Sequence, residues 1–72
     1  MNVNDLEVAK ALLYFFPYGV QRGDLVEETG LPRTTVYDAI NRLDQEGVIE
    51  IYYEPRETRG RPKTLYRLIP GD

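Results

Sequence analysis

The sequence predicts an α+β chain, three helices followed by a two-stranded β-hairpin. Three observations carry this. Apolar residues recur at helical spacing up to Leu43, and after Gly47 the pattern changes to β-branched and aromatic residues at strand spacing. Breakers separate the stretches, at Pro17, Gly19, Gly30, Pro32 and Gly47. Between the second and third stretches only Gly30, Leu31 and Pro32 remain for a turn. Two short helices joined by a three- or four-residue turn containing Gly make a helix-turn-helix.

The first helix is expected to start at Asn4 as cap, with Glu7 as reciprocal partner in a capping box, and to end at Pro17 and Gly19. Leu6, Ala9, Leu12, Leu13 and Phe16 are read as its core stripe. A second apolar strip, Val8, Ala11 and Phe15, makes the apolar surface too wide for one small core. Two readings stay open for it, burial under the C-terminal strand or contact with a second copy in a homodimer. Gly19-Val20-Gln21 is a short stub of strand. The second helix is expected over Arg22–Thr29, with Gly30 as its left-handed stop.

The third helix begins at Pro32, where a missing N–H costs little, and runs to Glu46 with Gly47 ending it. Val36, Ile40 and Leu43 share one face with Ala39, while Thr34, Asp38, Asn41 and Gln45 occupy the other, flanked by Tyr37 and Arg42. The hairpin is expected over about 48–69: Val48–Tyr53 as one strand, a polar loop from Glu54 to Lys63, and Thr64–Ile69 as the return. The helix-turn-helix itself covers about 22–46, and residues 1–72 are read as one domain with a single small core.

Composition removes several classes of function. With no cysteine and no histidine the chain lacks thiolate metal ligands, the commonest general base and the commonest transition-metal ligand. The adjacent carboxylates Glu27 and Glu28 point apart on a helix and have no catalytic company. No enzyme activity, catalytic residue, metal site or cofactor is expected. No apolar run approaches the ~20 residues of a membrane span, and the first residues lack the pattern of a signal peptide. No membrane partner is expected, and the location is read as cytoplasmic.

Net charge is −3, from nine basic and twelve acidic residues. It is unevenly placed. Residues 1–32 are net −3, residues 33–47 net −1, and residues 54–67 net +3. Nucleic-acid binding depends on where the basic patch lies, not on the total.

The order of helix, helix-turn-helix and hairpin with a long basic loop is the winged-helix arrangement. The run from Gly30-Leu31-Pro32-Arg33-Thr34-Thr35-Val36-Tyr37 through Leu43 to Gly47-Val48-Ile49 resembles the signature of prokaryotic winged helix-turn-helix transcription regulators. The MarR, PadR, ArsR and TrmB-type groups share that signature. The tail Gly60-Arg61-Pro62-Lys63-Thr64-Leu65-Tyr66-Arg67-Leu68 resembles their wing and returning strand. The likeness covers about residues 4–69 and does not choose among the groups. It implies a regulator that binds double-stranded DNA as a homodimer. Larger members carry extra helices for dimerisation or an effector pocket, which this sequence does not show, so no small-molecule ligand is expected.

The resemblance assigns recognition to the third helix, and the residue chemistry agrees. Thr34 and Thr35 can bond a phosphate or a base edge, Asn41 can pair with adenine, and Arg33 or Arg42 can reach guanine or phosphate. Tyr37 can touch the backbone or a thymine methyl. Asp38, unusual on such a face, can accept from cytosine N4 or hold a neighbouring Arg. In the loop, Arg56, Arg59, Gly60, Arg61 and Lys63 are the wing candidates. Arg59-Gly60-Arg61-Pro62-Lys63 resembles the core of the AT-hook, an extended segment lying in the minor groove of A·T-rich DNA. Narrow A-tract grooves attract Arg, Gly permits close approach, and Pro keeps the segment extended. The other reading of this loop is contact with phosphates alone. The alternative function is a winged-helix module for protein–protein interaction within a transcription or replication assembly. The acidic first two helices favour it.

Overall fold

The computed structural model describes residues 2–55 and 62–70. The chain runs α1 (Val3–Phe15), α2 (Arg22–Thr29), α3 (Arg33–Gln45), β1 (Ile49–Glu54) and β2 (Lys63–Leu68). This is the α+β winged helix-turn-helix the sequence predicts, with ends shifted by a residue or two.

α1 starts earlier than expected. Its cap is Asn2, whose side-chain oxygen accepts from the Asp5 N–H at 2.9 Å, not Asn4 with Glu7. Its buried face also differs. Asp5, Val8, Ala11 and Leu12 are buried and Phe15 packs against the core. Leu6 and Leu13, expected inside, are 51% and 64% exposed, and Phe16 is exposed too. α1 is apolar on more than one side, so spacing alone gives two competing stripes. The true stripe contains a carboxylate, Asp5, and a charge inside a core runs against the usual rule.

α2 closes its first turn through Gln21, whose N–H donates to Asp24 Oδ2 at 3.0 Å. Gly30, at φ +71°, ends it in the left-handed conformation that a side chain resists. The turn to α3 is tied by Thr29, whose hydroxyl donates to the Leu25 carbonyl at 2.7 Å and accepts from the Leu31 N–H at 3.2 Å. That bonding fixes where Leu31 re-enters the core edge and where Pro32 launches α3. α3 buries Val36, Ala39, Ile40 and Leu43, the face expected of it. Gly47, at φ +75°, stops it, and the Val48 N–H reaches back to the Leu43 carbonyl at 3.1 Å.

β1 and β2 pair antiparallel from Ile49 opposite Leu68 to Glu54 opposite Lys63. Val20 adds the expected stub, exchanging two backbone hydrogen bonds with Tyr66 at 2.9 and 2.8 Å. One core joins the layers: Val8 and Leu12 of α1, Leu25 of α2, Val36, Ile40 and Leu43 of α3, Val20, and Ile49 and Tyr66 of the sheet. The hairpin thus grips the back of the helix-turn-helix, while the opposite face of α3 stays open.

Candidate nucleic-acid interface

The open face of α3 is set by its buried face. With Val36, Ala39, Ile40 and Leu43 turned inward, helical geometry leaves Arg33, Thr34, Asp38 and Asn41 exposed and Thr35 and Tyr37 half-buried beside them. Pro32 supplies no side-chain cap to the first turn. The free N–H groups and positive dipole end there suit an anion.

Arg42 takes a different place from the one expected. Its Nε donates to both Asp5 oxygens, at 3.0 and 2.9 Å, and its Nη2 to Oδ1 at 2.7 Å. Asp5 is 2% exposed. The hydrogen bonds from Arg42 hold the Asp5 carboxyl below the usual carboxylate range, outweighing the upward push of burial. The same bonds hold the Arg42 guanidinium more firmly protonated. The pair ties α1 to α3, so Arg42 is a residue that fixes the helix, and the reading of it as a base or phosphate contact is corrected.

Val8 and Ala11, offered as dimer contacts, close the chain's own core, and Phe15 packs against that core half-buried. They are not free for a second copy. Among the described residues the exposed large apolar side chains are Val3, Leu6, Leu13 and Tyr14 on α1, with Phe16, Tyr18, Tyr53 and Ile69. Leu13, Phe16, Leu68, Ile69 and Pro70 line one shallow hollow.

Of the wing candidates, Arg56, Arg59, Gly60 and Arg61 lie outside the described residues. Lys63 is exposed at the start of β2. Arg67, on the same strand, donates from Nε to Glu50 Oε2 at 2.9 Å and lies 4.8 Å from the Tyr52 ring centroid, so it braces the hairpin. Gly19 makes room for that Tyr52 ring, because a Cβ there would meet the Tyr52 hydroxyl.

Sequence reasoning missed Arg22. Its guanidinium carbon sits 4.3 Å from the centroid of the Tyr37 ring. The two residues are far apart in sequence and on different helices, so no periodic pattern links them. Burial pushes the Tyr66 phenol up, and the nearby Arg22 charge partly opposes this, which sets Tyr66 close to the same pair.

The TrmB family profile, described as "Sugar-specific transcriptional regulator TrmB", matches residues 2–72. The chain belongs to the TrmB family. Its family is described as one of transcriptional regulators, and its fold is the winged helix-turn-helix. Solved structures carry the same fold. BpsR of Bordetella bronchiseptica, whose DNA binding is regulated by 6-hydroxynicotinic acid, superposes with a TM-score of 0.80 at 24% identity, over 97% of this chain and 49% of that one. The PcaV transcriptional regulator of Streptomyces coelicolor, solved with its natural ligand, gives 0.78 at 25%, over 96% and 45%. A PadR family transcription regulator of Clostridium difficile gives 0.77 at 18%, over 94% and 73%. This chain therefore spans about half the length of BpsR and PcaV. No curated protein sequence matches it. Among the described residues no helix is long and apolar enough to cross a membrane.

Proposed function

We propose that this TrmB-family chain binds double-stranded DNA by laying α3 in the major groove and its basic wing in the adjacent minor groove, and that two copies act together on one site. The observation that supports α3 most is the separation of its faces: an apolar side inside the core, and Arg33, Thr34, Asp38 and Asn41 exposed together. Asn41 is the base reader, by a paired hydrogen bond to adenine, and Thr34 and Thr35 serve phosphate or base edges. Asp38 accepts from cytosine N4 or orients Arg33. Arg42 has no part in reading, being held by Asp5.

Sequence carries the wing reading. Arg59-Gly60-Arg61-Pro62-Lys63 has the composition that suits a narrow, A·T-rich minor groove. The homodimer rests on the apolar residues the fold leaves outside, Leu6 and Leu13 of α1 with Phe16 and Ile69. Sedimentation tests that part, and a monomer at concentrations that saturate DNA contradicts it. The protein has no catalytic role in this reading.

The test of the α3 assignment is selection of bound duplexes from a random pool, followed by Asn41→Ala and Thr34→Ala on the selected site. Asn41→Ala should cost about 1–3 kcal/mol and relax preference at one position. Wild-type binding by both variants contradicts the assignment.

A further inference from the structure

Arg22, Arg33 and Lys63 come from three elements, the first turns of α2 and α3 and the start of β2, yet they line one open groove of about 330 Å³ with Gly23, Tyr37 and Thr64. No acidic residue lines this groove among the described residues. Three carboxylates are nearby in sequence or across the ladder: Asp24 accepts the Gln21 N–H, Glu54 is the ladder partner of Lys63, and Asp38 follows Tyr37 on α3 without lining the groove. A chain of net charge −3 thus gathers three cations around one hollow, an arrangement that an anion entering the groove would relieve.

The groove is also prepared. Arg side chains normally lose rotamer freedom when they bind, but Arg22 already lies over the Tyr37 ring, 4.3 Å from its centroid. Its planar guanidinium retains N–H donors at its edge for a tetrahedral anion. Beside it the floor is clear: a Cβ built on Gly23 meets nothing within 4 Å.

We propose that this groove seats a backbone phosphate of duplex DNA, gripped by Arg22 with Arg33 and Lys63 beside it, and that Tyr37 positions Arg22. The proposal rests on the DNA-binding reading above and deepens it. It makes Tyr37 a positioning residue, and it adds α2 to the contact surface. A phosphodiester offers the same charge whatever the base, so this contact contributes affinity and register without sequence preference.

The experiment measures duplex binding by the full chain on a selected site and on random duplex, between about 50 and about 200 mM salt. Arg22→Ala should weaken both duplexes by the same factor. The wild-type advantage should itself shrink roughly threefold across that salt range, as expected for one phosphate contact. Gly23→Glu keeps every cation but places a carboxylate at the floor, and should weaken both duplexes with no loss of melting temperature. Tyr37→Leu should weaken binding and shift the Arg22 Nε–Hε resonance, and Tyr37→Phe, which keeps the ring face, should restore both. Lys10→Ala, a charge removed outside this groove, is the control.

Salt-dependent binding by the wild type, with Arg22→Ala and Gly23→Glu indistinguishable from Lys10→Ala, overturns the proposal and leaves DNA binding standing. So does tight saturation of the Arg22 resonance by inorganic phosphate alone with duplex affinity unmoved in both variants, which would make the groove a site for a free phosphate. Absence of duplex binding by the wild type at every salt concentration overturns the proposal and the DNA-binding reading together.

Discussion

Asp5 lies 2% exposed between α1 and α3, with both carboxylate oxygens accepting from Arg42 Nε. A buried carboxylate stripped of its partner is strongly destabilising, because the cost of leaving water is no longer offset. Arg42→Ala should therefore lower the melting temperature at neutral pH much more than Glu50→Gln. The latter breaks the Glu50–Arg67 pair, whose side chains are 47% and 41% exposed and whose worth is below about 1 kcal/mol. The pH dependence has a definite sign. The folded Asp5 carboxyl titrates below its unfolded counterpart, so its stabilising effect is full above the unfolded value and is lost as pH falls through the folded one. Thermal melts between neutral pH and about pH 2 should show Asp5→Asn less stable than wild type at neutral pH, with the gap closing in acid. A constant gap, or an Arg42→Ala melt equal to wild type, contradicts this account. The sequence hides the pair because a charged residue is read as facing solvent. With Asp5 set outside, Leu6 and Leu13 look like the core and Val8 and Ala11 look like surplus surface.

α3 was legible for the reason α1 was not: its polar and apolar residues separate cleanly at a helical period, and Gly30, Pro32 and Gly47 bracket it. The hairpin was legible from the change of period at Val48, and the structure moves each strand by only one residue. What the hairpin does depends on side chains whose contacts spacing does not encode. Arg67 is read as one more positive charge, but it braces Glu50 and Tyr52. That leaves Arg56, Arg59, Arg61 and Lys63 as the wing's cations for DNA. If the wing enters the minor groove, Arg61→Ala should lose more affinity on sites flanked by A·T pairs than on G·C-flanked ones, whose guanine N2 amino group obstructs the floor. Gly60→Val should imitate that loss with no change of charge. Equal losses on both flanks together with a harmless Gly60→Val, measured by competition binding, would make the wing a phosphate clamp.

Over the whole molecule the charges are separated, acidic through residues 1–32 and basic around the wing, and the fold brings Arg22 out of that acidic half to join Arg33 and Lys63. The family match and the fold establish a TrmB-family winged helix-turn-helix. The folded arrangement of charge, together with α3, supports DNA as the surface this chain meets, against the rival of a winged-helix module that meets another protein. The two differ in one observable. A protein that displaces counterions from DNA phosphates loses affinity as a power of salt concentration, with a slope close to the number of phosphates neutralised. The most direct measurement is the affinity of the wild-type chain for a random duplex as salt is raised from about 50 to about 200 mM. The account predicts a steep, linear fall on logarithmic axes; a flat response, or no binding at the lowest salt, would contradict it.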